Sequence, residues 1–427
     1  GVTGVQTCAL PILDSDSKRV LRAASIFGER CWAGAVAVLT GDHEHTDALL
    51  KELCEREILS PVAQSCLPAE DEYRFRQGLV RDTAYAMLTD ADRTLGHRLA
   101  GTWLEQAGLT DALMLAEHYA RGGPLERAAY WGRRSAQQSL EANDLTAALE
   151  QAERALNFES APQQRGLLRG LQAEAHFWRA ELAEAAAKAR IAVAALPAGS
   201  ANWFLALGTL ISSAGQMGDN EEAERYLQSA VMAAPAKDAV AAQIICLCRG
   251  VTQLPFSGKH AASTAALKVI DQLLDGGRGA WLHVMGRVCH ARAVYLCHTG
   301  QDLEQAFRCC EEGVAASATV GDLRLELLCS IGKGVVLDAL GDFVQAEHFL
   351  KLAQDRAERV GLPMTKYIAA SLLGGPIAKQ GRLEEALALF EAMLPVFRRS
   401  PRAYVGVLVD RSAIFHQAGD FQRAERD

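Results

Sequence analysis

One device recurs eight times in the chain and limits what it can fold into. A glycine or other small residue, followed five positions later by alanine, sits between two amphipathic segments. The device starts at Asn143, Ala180, Gly218, Gly258, Gly300, Gly341, Gly381 and Gly419, so successive starts lie 37, 38, 40, 42, 41, 40 and 38 residues apart. The fifth position on holds Ala148, Ala185, Ala223, Ala346, Ala386 and Ala424, with Ser263 in one unit and Ala306 one place late in another. A unit of this length cannot bury its apolar face alone and must stack on its neighbours. Stacking adds length without depth, which lets 427 residues fold without one oversized core.

The register can be tested on independent positions. The pattern resembles that of tetratricopeptide hairpins, and the resemblance implies a small side chain seven residues before each turn, where the two helices come into close contact. Seven residues before each start stand Ala136, Ala173, Ile211, Val251, Ala293, Gly334, Gly374 and Ser412, six of the eight small. Pro162, Pro197, Pro235 and Pro363 fall between units, where a residue that breaks helices belongs. Pro255 and the run Gly374-Gly375-Pro376 fall inside first helices and are expected to kink or shorten them. The pattern resembles tetratricopeptide repeats with longer helices. That resemblance implies an all-α solenoid over residues 124–427, coiled into a superhelix with a concave groove. Asp427 falls inside a second helix, so a truncated C-terminus is expected.

Ahead of the repeats the pattern changes. Residues 1–13 are read as a non-native or disordered N-terminus, because Gly1 to Ile12 has neither a helical nor a strand period and reads like a translated sequencing adapter. Residues 14–90 are expected to form a winged-helix-like module. Val20, Leu21, Ala24 and Phe27 mark a first helix stopped at Gly28, and two short helices follow near Trp32–Leu39 and His45–Glu55. Ile58 to Pro61 and Tyr73 to Phe75 then pair as the two strands of a wing. The third helix carries Asp47, Lys51, Glu52, Glu55, Arg56 and Glu57, net acidic and repulsive to phosphate. Residues 91–123 form a helical linker.

The stretch FRQGLVRDTAYAML (75–88) followed by LGHRLAGTWLE (95–105) resembles the junction of signal-transducing ATPases with numerous domains, the STAND class. There it joins a winged helix to a helical repeat array. The likeness is nearest to bacterial members that are fused to AAA-type ATPase and serine/threonine kinase or adenylate cyclase modules, or that are LuxR-type regulators. It implies that this chain is the region C-terminal to a nucleotide-binding domain, which would be its partner within the parent chain. A histidine often stands where this sequence has Gln77, which removes one nucleotide-sensing contact from the expectation.

No catalytic or cofactor-binding residue is assigned. Gly258-Lys259 is followed by His260 and Gly332-Lys333 by Gly334, so neither completes a phosphate-binding loop. Cys246-x-Cys248, Cys309-Cys310 and the set His283, His290 and Cys297 lack zinc spacing, so no metal is expected. The tryptophans at 103, 131, 178, 203 and 281 are read as packing residues, and His43 and His45 as solvated. A formal charge of −8 argues against a nucleic-acid partner, and no apolar run reaches the length of a membrane span. Eleven scattered cysteines fit a reducing, cytoplasmic address.

The candidate site is the groove lined by first helices, with a protein, a peptide or a small-molecule effector as its occupant. Counting ten and thirteen residues before Gly300 selects His290 and Arg287, and counting three before Gly341 and Gly419 selects Asp338 and His416. These are polar groups on otherwise apolar helices, costly to bury unpaired. Three readings stay open: a regulatory region of a signalling ATPase, a freestanding scaffold, or the sensor region of a transcription regulator that has lost its DNA-binding domain.

Overall fold

The computed structural model describes residues 13–275, 281–398, 401–417 and 419–426. The expectation for Gly1 to Ile12 lies outside them. Leu13, which closes the segment read as non-native, is buried in the first core. The chain divides into two compact units, residues 1–138 with 150–159, and residues 139–149 with 160–427.

The first unit begins with α1 (Ser15–Ser25), started by the Asp14 carboxylate, which accepts from the Asp16 and Ser17 backbone N–H groups. There follow β1 (Arg30–Trp32), α2 (Ala33–Thr40), α3 (Thr46–Glu55), β2 (Leu59–Pro61) and β3 (Glu72–Phe75). The strands form an antiparallel sheet in the order β1-β3-β2, with Leu59 opposite Phe75 and Cys31 opposite Tyr73. The expected wing pairing is present, and β1 adds a third strand. Trp32, on that strand, is buried edge-on to Phe27. Next come α4 (Gly78–Ala86), α5 (Asp90–Gln106) and α6 (Ala112–Gly122). A reciprocal cap between Thr89 and Asp92 starts α5, and Gly123 in the left-handed region (φ 99°) ends α6.

Repeated hairpins follow. Their helices are α7 (Leu125–Glu141) and α8 (Leu145–Leu156), α9 (Pro162–Trp178) and α10 (Leu182–Ala195), α11 (Ala201–Met217) and α12 (Asn220–Met232), and α13 (Val240–Gln253) and α14 (His260–Leu274). Then come α15 (Leu282–Thr299) and α16 (Leu303–Val320), α17 (Leu323–Leu340) and α18 (Phe343–Arg359), α19 (Pro363–Lys379) and α20 (Leu383–Phe397), and α21 (Pro401–Gln417) and α22 (Phe421–Ala424). All eight expected turn residues adopt positive φ, from 61° at Ala180 to 88° at Gly341. Each second helix needs a fresh start after the bend. Asp144, Asp219, Asp302, Asp342 and Asp420 supply it, each accepting from the backbone N–H three residues on. Among the described residues no strand occurs beyond Gly123.

Ala173 is fully buried at its close-contact position, and a Cβ on Gly374 would overlap the buried Phe390 ring of the partner helix; Ile211 and Val251, the two positions that are not small, are fully buried as well. Pro255 ends α13 early and puts Leu254–Ser257 into a 3₁₀ turn. Pro376 behaves otherwise and is carried inside α19, one turn from its end. Within the second unit α9 packs against α19 and α11 against α21, five hairpins further on, so the superhelix meets itself after one turn. The fold class is all-α, a tetratricopeptide-like α-solenoid preceded by the small helix-and-sheet module. No described helix is long and apolar enough to cross a membrane.

Candidate functional site

Because the superhelix closes on itself, its first helices surround a space. A cavity of about 320 Å³ lies inside the second unit, with every first helix from α9 to α21 contributing to its wall. Phe177, Leu328, Ile331, Val335, Ile368 and Leu372 make it largely apolar. The positions that line it shift steadily from helix to helix. On α9 they lie near the C-terminal end (Phe177, Trp178), on α15 they run from Arg287 to His298, and on α21 the lining residue is Arg402, close to the N-terminal end.

Against that wall stands a polar cluster held by three neighbouring helices. The Glu174 carboxylate on α9 accepts from Arg249 Nη2 of α13 at 2.6 Å, from Thr209 Oγ1 of α11 at 2.7 Å and from Trp178 Nε1 at 2.8 Å. Arg249 Nη1 also donates to Thr209 Oγ1 at 2.7 Å. Burial alone would raise the Glu174 pKa, but the Arg249 charge and these three donors outweigh it and hold the carboxyl far below its usual range. The pair is thus ionised and internally satisfied. Next to it, Arg287 of α15 lies 3.6 Å from Asp322, and burial together with the charge of Arg249 lowers its pKa. His290, one turn along α15, is pushed down to about 4 by burial and by Arg287, so it is neutral.

Of the four residues selected from the sequence, the structure brings Arg287 and His290 together on the cavity wall. Asp338 is placed elsewhere, with its Oδ2 accepting from Lys379 Nζ at 2.6 Å. His416 is exposed, its ring 5.1 Å from that of Phe421. Neither residue is in the cavity wall. Both were selected at a fixed distance before the turn, whereas the lining moves toward the N-terminal ends of the later helices. Glu174, Arg249 and Arg402 escaped selection. Thr209 and Arg249 share one register position, nine residues before their turns, and that repeat was the available signal. Trp178, read as a packing residue, also faces the cavity.

A second space of about 510 Å³ adjoins the first and shares Gln216, Phe256, Met364, Ile368, Leu372 and Arg402 with it. Arg402 thus stands where the two meet. Its Nη1 donates to Gln253 Oε1 at 2.6 Å and its guanidinium lies 3.3 Å from the centroid of the Phe256 ring. Burial lowers its pKa to about 9. Among the described residues no group of histidines, cysteines and carboxylates is arranged to hold a metal.

Neither a family model nor a curated protein matches the sequence. Solved structures do match its shape. A signal-transduction ATPase with numerous domains that carries a tetratricopeptide repeat sensor, from Pyrococcus horikoshii, is similar over 97% of this chain and 62% of its own, with a TM-score of 0.55 and 13% identity. Yeast Tom70 follows, covering 96% of this chain and 84% of its own at a TM-score of 0.38 and 14% identity. The tetratricopeptide domain of P58(IPK) matches 70% of this chain and 90% of its own with a TM-score of 0.23 and 13% identity. The likeness to the STAND protein, at 13% identity, establishes the fold alone, and this chain spans about 62% of that protein's length.

Proposed function

We propose that the chain is a non-catalytic regulatory and partner-binding region of a multidomain STAND-type signalling ATPase. The repeats receive an effector and the N-terminal module relays its presence to the nucleotide-binding domain of the parent chain. The observation that carries this reading is the cavity, to which every first helix from α9 to α21 contributes. An occupant would touch all of them at once and so bias the curvature of the whole superhelix. Supporting it, the elements over residues 15–75 run helix, strand, helix, helix, strand, strand, an order compatible with the expected winged-helix-like module. The likeness to a STAND sensor protein extends over both units. The acidic α3 disfavours nucleic acid as its partner. All ten described cysteines are free thiols, which fits a cytoplasmic address.

The test is twofold. Calorimetry of the chain with ATP and ADP is expected to show no micromolar binding. The reading frame extended upstream is expected to encode a phosphate-binding loop. Tight nucleotide binding by this chain would contradict the reading. An extended frame without a nucleotide-binding domain would leave the freestanding scaffold in its place, and one ending in a DNA-binding helix-turn-helix would favour a transcription regulator.

A further inference from the structure

The charges around the cavity do not balance in the same way at each point. Arg249 has its carboxylate, Glu174, at 2.6 Å, and Arg287 has Asp322 at 3.6 Å. Arg402 differs from both. Its partners are a neutral amide oxygen and the face of an aromatic ring, and among the described residues no carboxylate pairs with it. A guanidinium has five N–H donors in a planar fork, and one of them is used on Gln253. Nearby polar groups do not supply the missing charge. Gln216 spends its Nε2 on the same Gln253 oxygen at 3.3 Å, and burial, with the Arg402 charge, lowers the pKa of His298. Asp410 lines the outer space from the same helix as Arg402 and makes no ion pair with it.

Arg402 is partly buried, and a cation so placed beside an apolar wall without a counter-ion is costly to hold, so a ligand that supplies the counter-charge is favoured there. The walls that run from this point along α17 and α19 (Leu328, Ile331, Val335, Ile368, Leu372) offer no polar partner and fit a hydrocarbon body. A volume of about 320 Å³ falls at the lower end of small-molecule sites, roughly 300–1,000 Å³, and is small for a helix or folded element of a partner. We propose that the cavity binds a small amphiphile with one carboxylate or equivalent anion, its charged end on Arg402 and its apolar body against α17 and α19. This gives the sensor reading a ligand class and rests on that reading's choice of the cavity as the receiving site.

Calorimetry of the whole chain with three ten-carbon probes below their micelle concentrations tests it: sodium decanoate, decan-1-ol and decyltrimethylammonium. Decanoate is expected to bind at least about tenfold more tightly than decanol, the worth of one charge-assisted hydrogen bond, and the cation not to bind. Arg402→Gln should weaken decanoate about tenfold and leave decanol unchanged, and Arg402→Lys should restore part of the loss. Ile331→Trp, which fills the cavity, should abolish both. Removing an uncompensated cation should leave the melting temperature of Arg402→Gln at or above that of the parent. Equal affinity for decanoate and decanol, an unchanged decanoate affinity in Arg402→Gln, or no binding of decanoate would each overturn the proposal. If Arg402→Gln fails to fold, the preference of the unsubstituted chain between decanoate and decanol still decides. None of these outcomes bears on nucleotide binding, so the ATPase-region reading stands or falls by its own experiment.

Discussion

Acidification from pH 7.5 to 5.0 should loosen the first unit, and the size of the effect follows from one buried contact. His97 on α5 and His118 on α6 are both buried, with their Nδ1 atoms 3.1 Å apart and the His97 Nε2 atom 2.9 Å from the Tyr85 hydroxyl of α4. One Nδ1 must donate and the other accept. A proton added to the accepting ring would set two N–H groups against each other. Burial, assisted by Arg121, pushes His97 down to about 4, and burial with His97 and Arg121 pushes His118 down to about 3. In the unfolded chain both rings titrate near the ordinary value, about 6.5. Above pH 6.5 neither state takes up these protons and the contact's stability is fully present. As pH falls below 6.5 the unfolded chain binds protons that the folded unit refuses, so stability is lost progressively until the folded values near 4 and 3 are reached.

At pH 5.0 the solution lies about 1.5 units below the unfolded pKa of each histidine and still above both folded values. With about 1.4 kcal/mol per unit this is roughly 2 kcal/mol each, or about 4 kcal/mol for the pair. Glu72 and Glu105, whose pKa values are lowered by their donors against the effect of burial, lose their contribution only below the ordinary carboxylate value. They therefore add little at pH 5.0. Hydrogen exchange read by mass spectrometry on peptides from α4 to α6, corrected for the intrinsic rate, isolates this unit from His290 in the other. Opening of those peptides should become easier by about 4 kcal/mol between pH 7.5 and 5.0, and by about half that in His118→Leu. If protection in the parent stays constant over that range, or falls as far in a His97→Gln, His118→Leu double variant, the histidine contact is not the cause.

Four other substitutions have outcomes set by the geometry. Glu174→Gln strands the Arg249 guanidinium and should cost about 3–5 kcal/mol in urea unfolding, most of it recovered when Arg249→Met is added. Gly374→Ala drives a Cβ into Phe390 and should cost about 1–3 kcal/mol, with Phe390→Leu in the same background reducing that penalty, which a double-mutant cycle on melting curves will resolve. Ala180→Gly relieves a left-handed residue at φ 61° and should gain about 0.5–1 kcal/mol, whereas Gly381→Ala at φ 84° should lose about as much; melting shifts of one sign for both would contradict the turn assignment.

The parts of this fold that were legible from the sequence are those decided within one hairpin. A left-handed bend needs a residue without a steric penalty, and two helices in close contact need a small side chain at the crossing, so Gly341 and Gly334 announce both requirements seven residues apart. A hairpin of strands is equally local, and Leu59 opposite Phe75 was visible as alternation at both ends of one loop. Strand β1 was not, because Arg30 to Trp32 is too short to display a period and is a strand only by virtue of Tyr73, more than forty residues on.

The cavity depends on longer distances still. Arg249 and Glu174 are 75 residues apart and meet because consecutive hairpins stack, which no local pattern encodes. A count from each turn does find the inward face of a first helix, and in α15 it found Arg287 and His290. It cannot find the height at which that face meets the cavity. The superhelix tilts each hairpin relative to the last, so the lining slides from Phe177 at one end of α9 to Arg402 at the opposite end of α21. Asp338 and His416 satisfied the rule for the face and missed the height. Arg402 satisfied neither count, and what sets it apart is the lack of a carboxylate around it, a property of the closed array rather than of its own helix. A polar residue on the inner face of a repeat is therefore weak evidence of a site. A cation there without a counter-charge is much stronger evidence, and it can be recognised only after the superhelix has been closed.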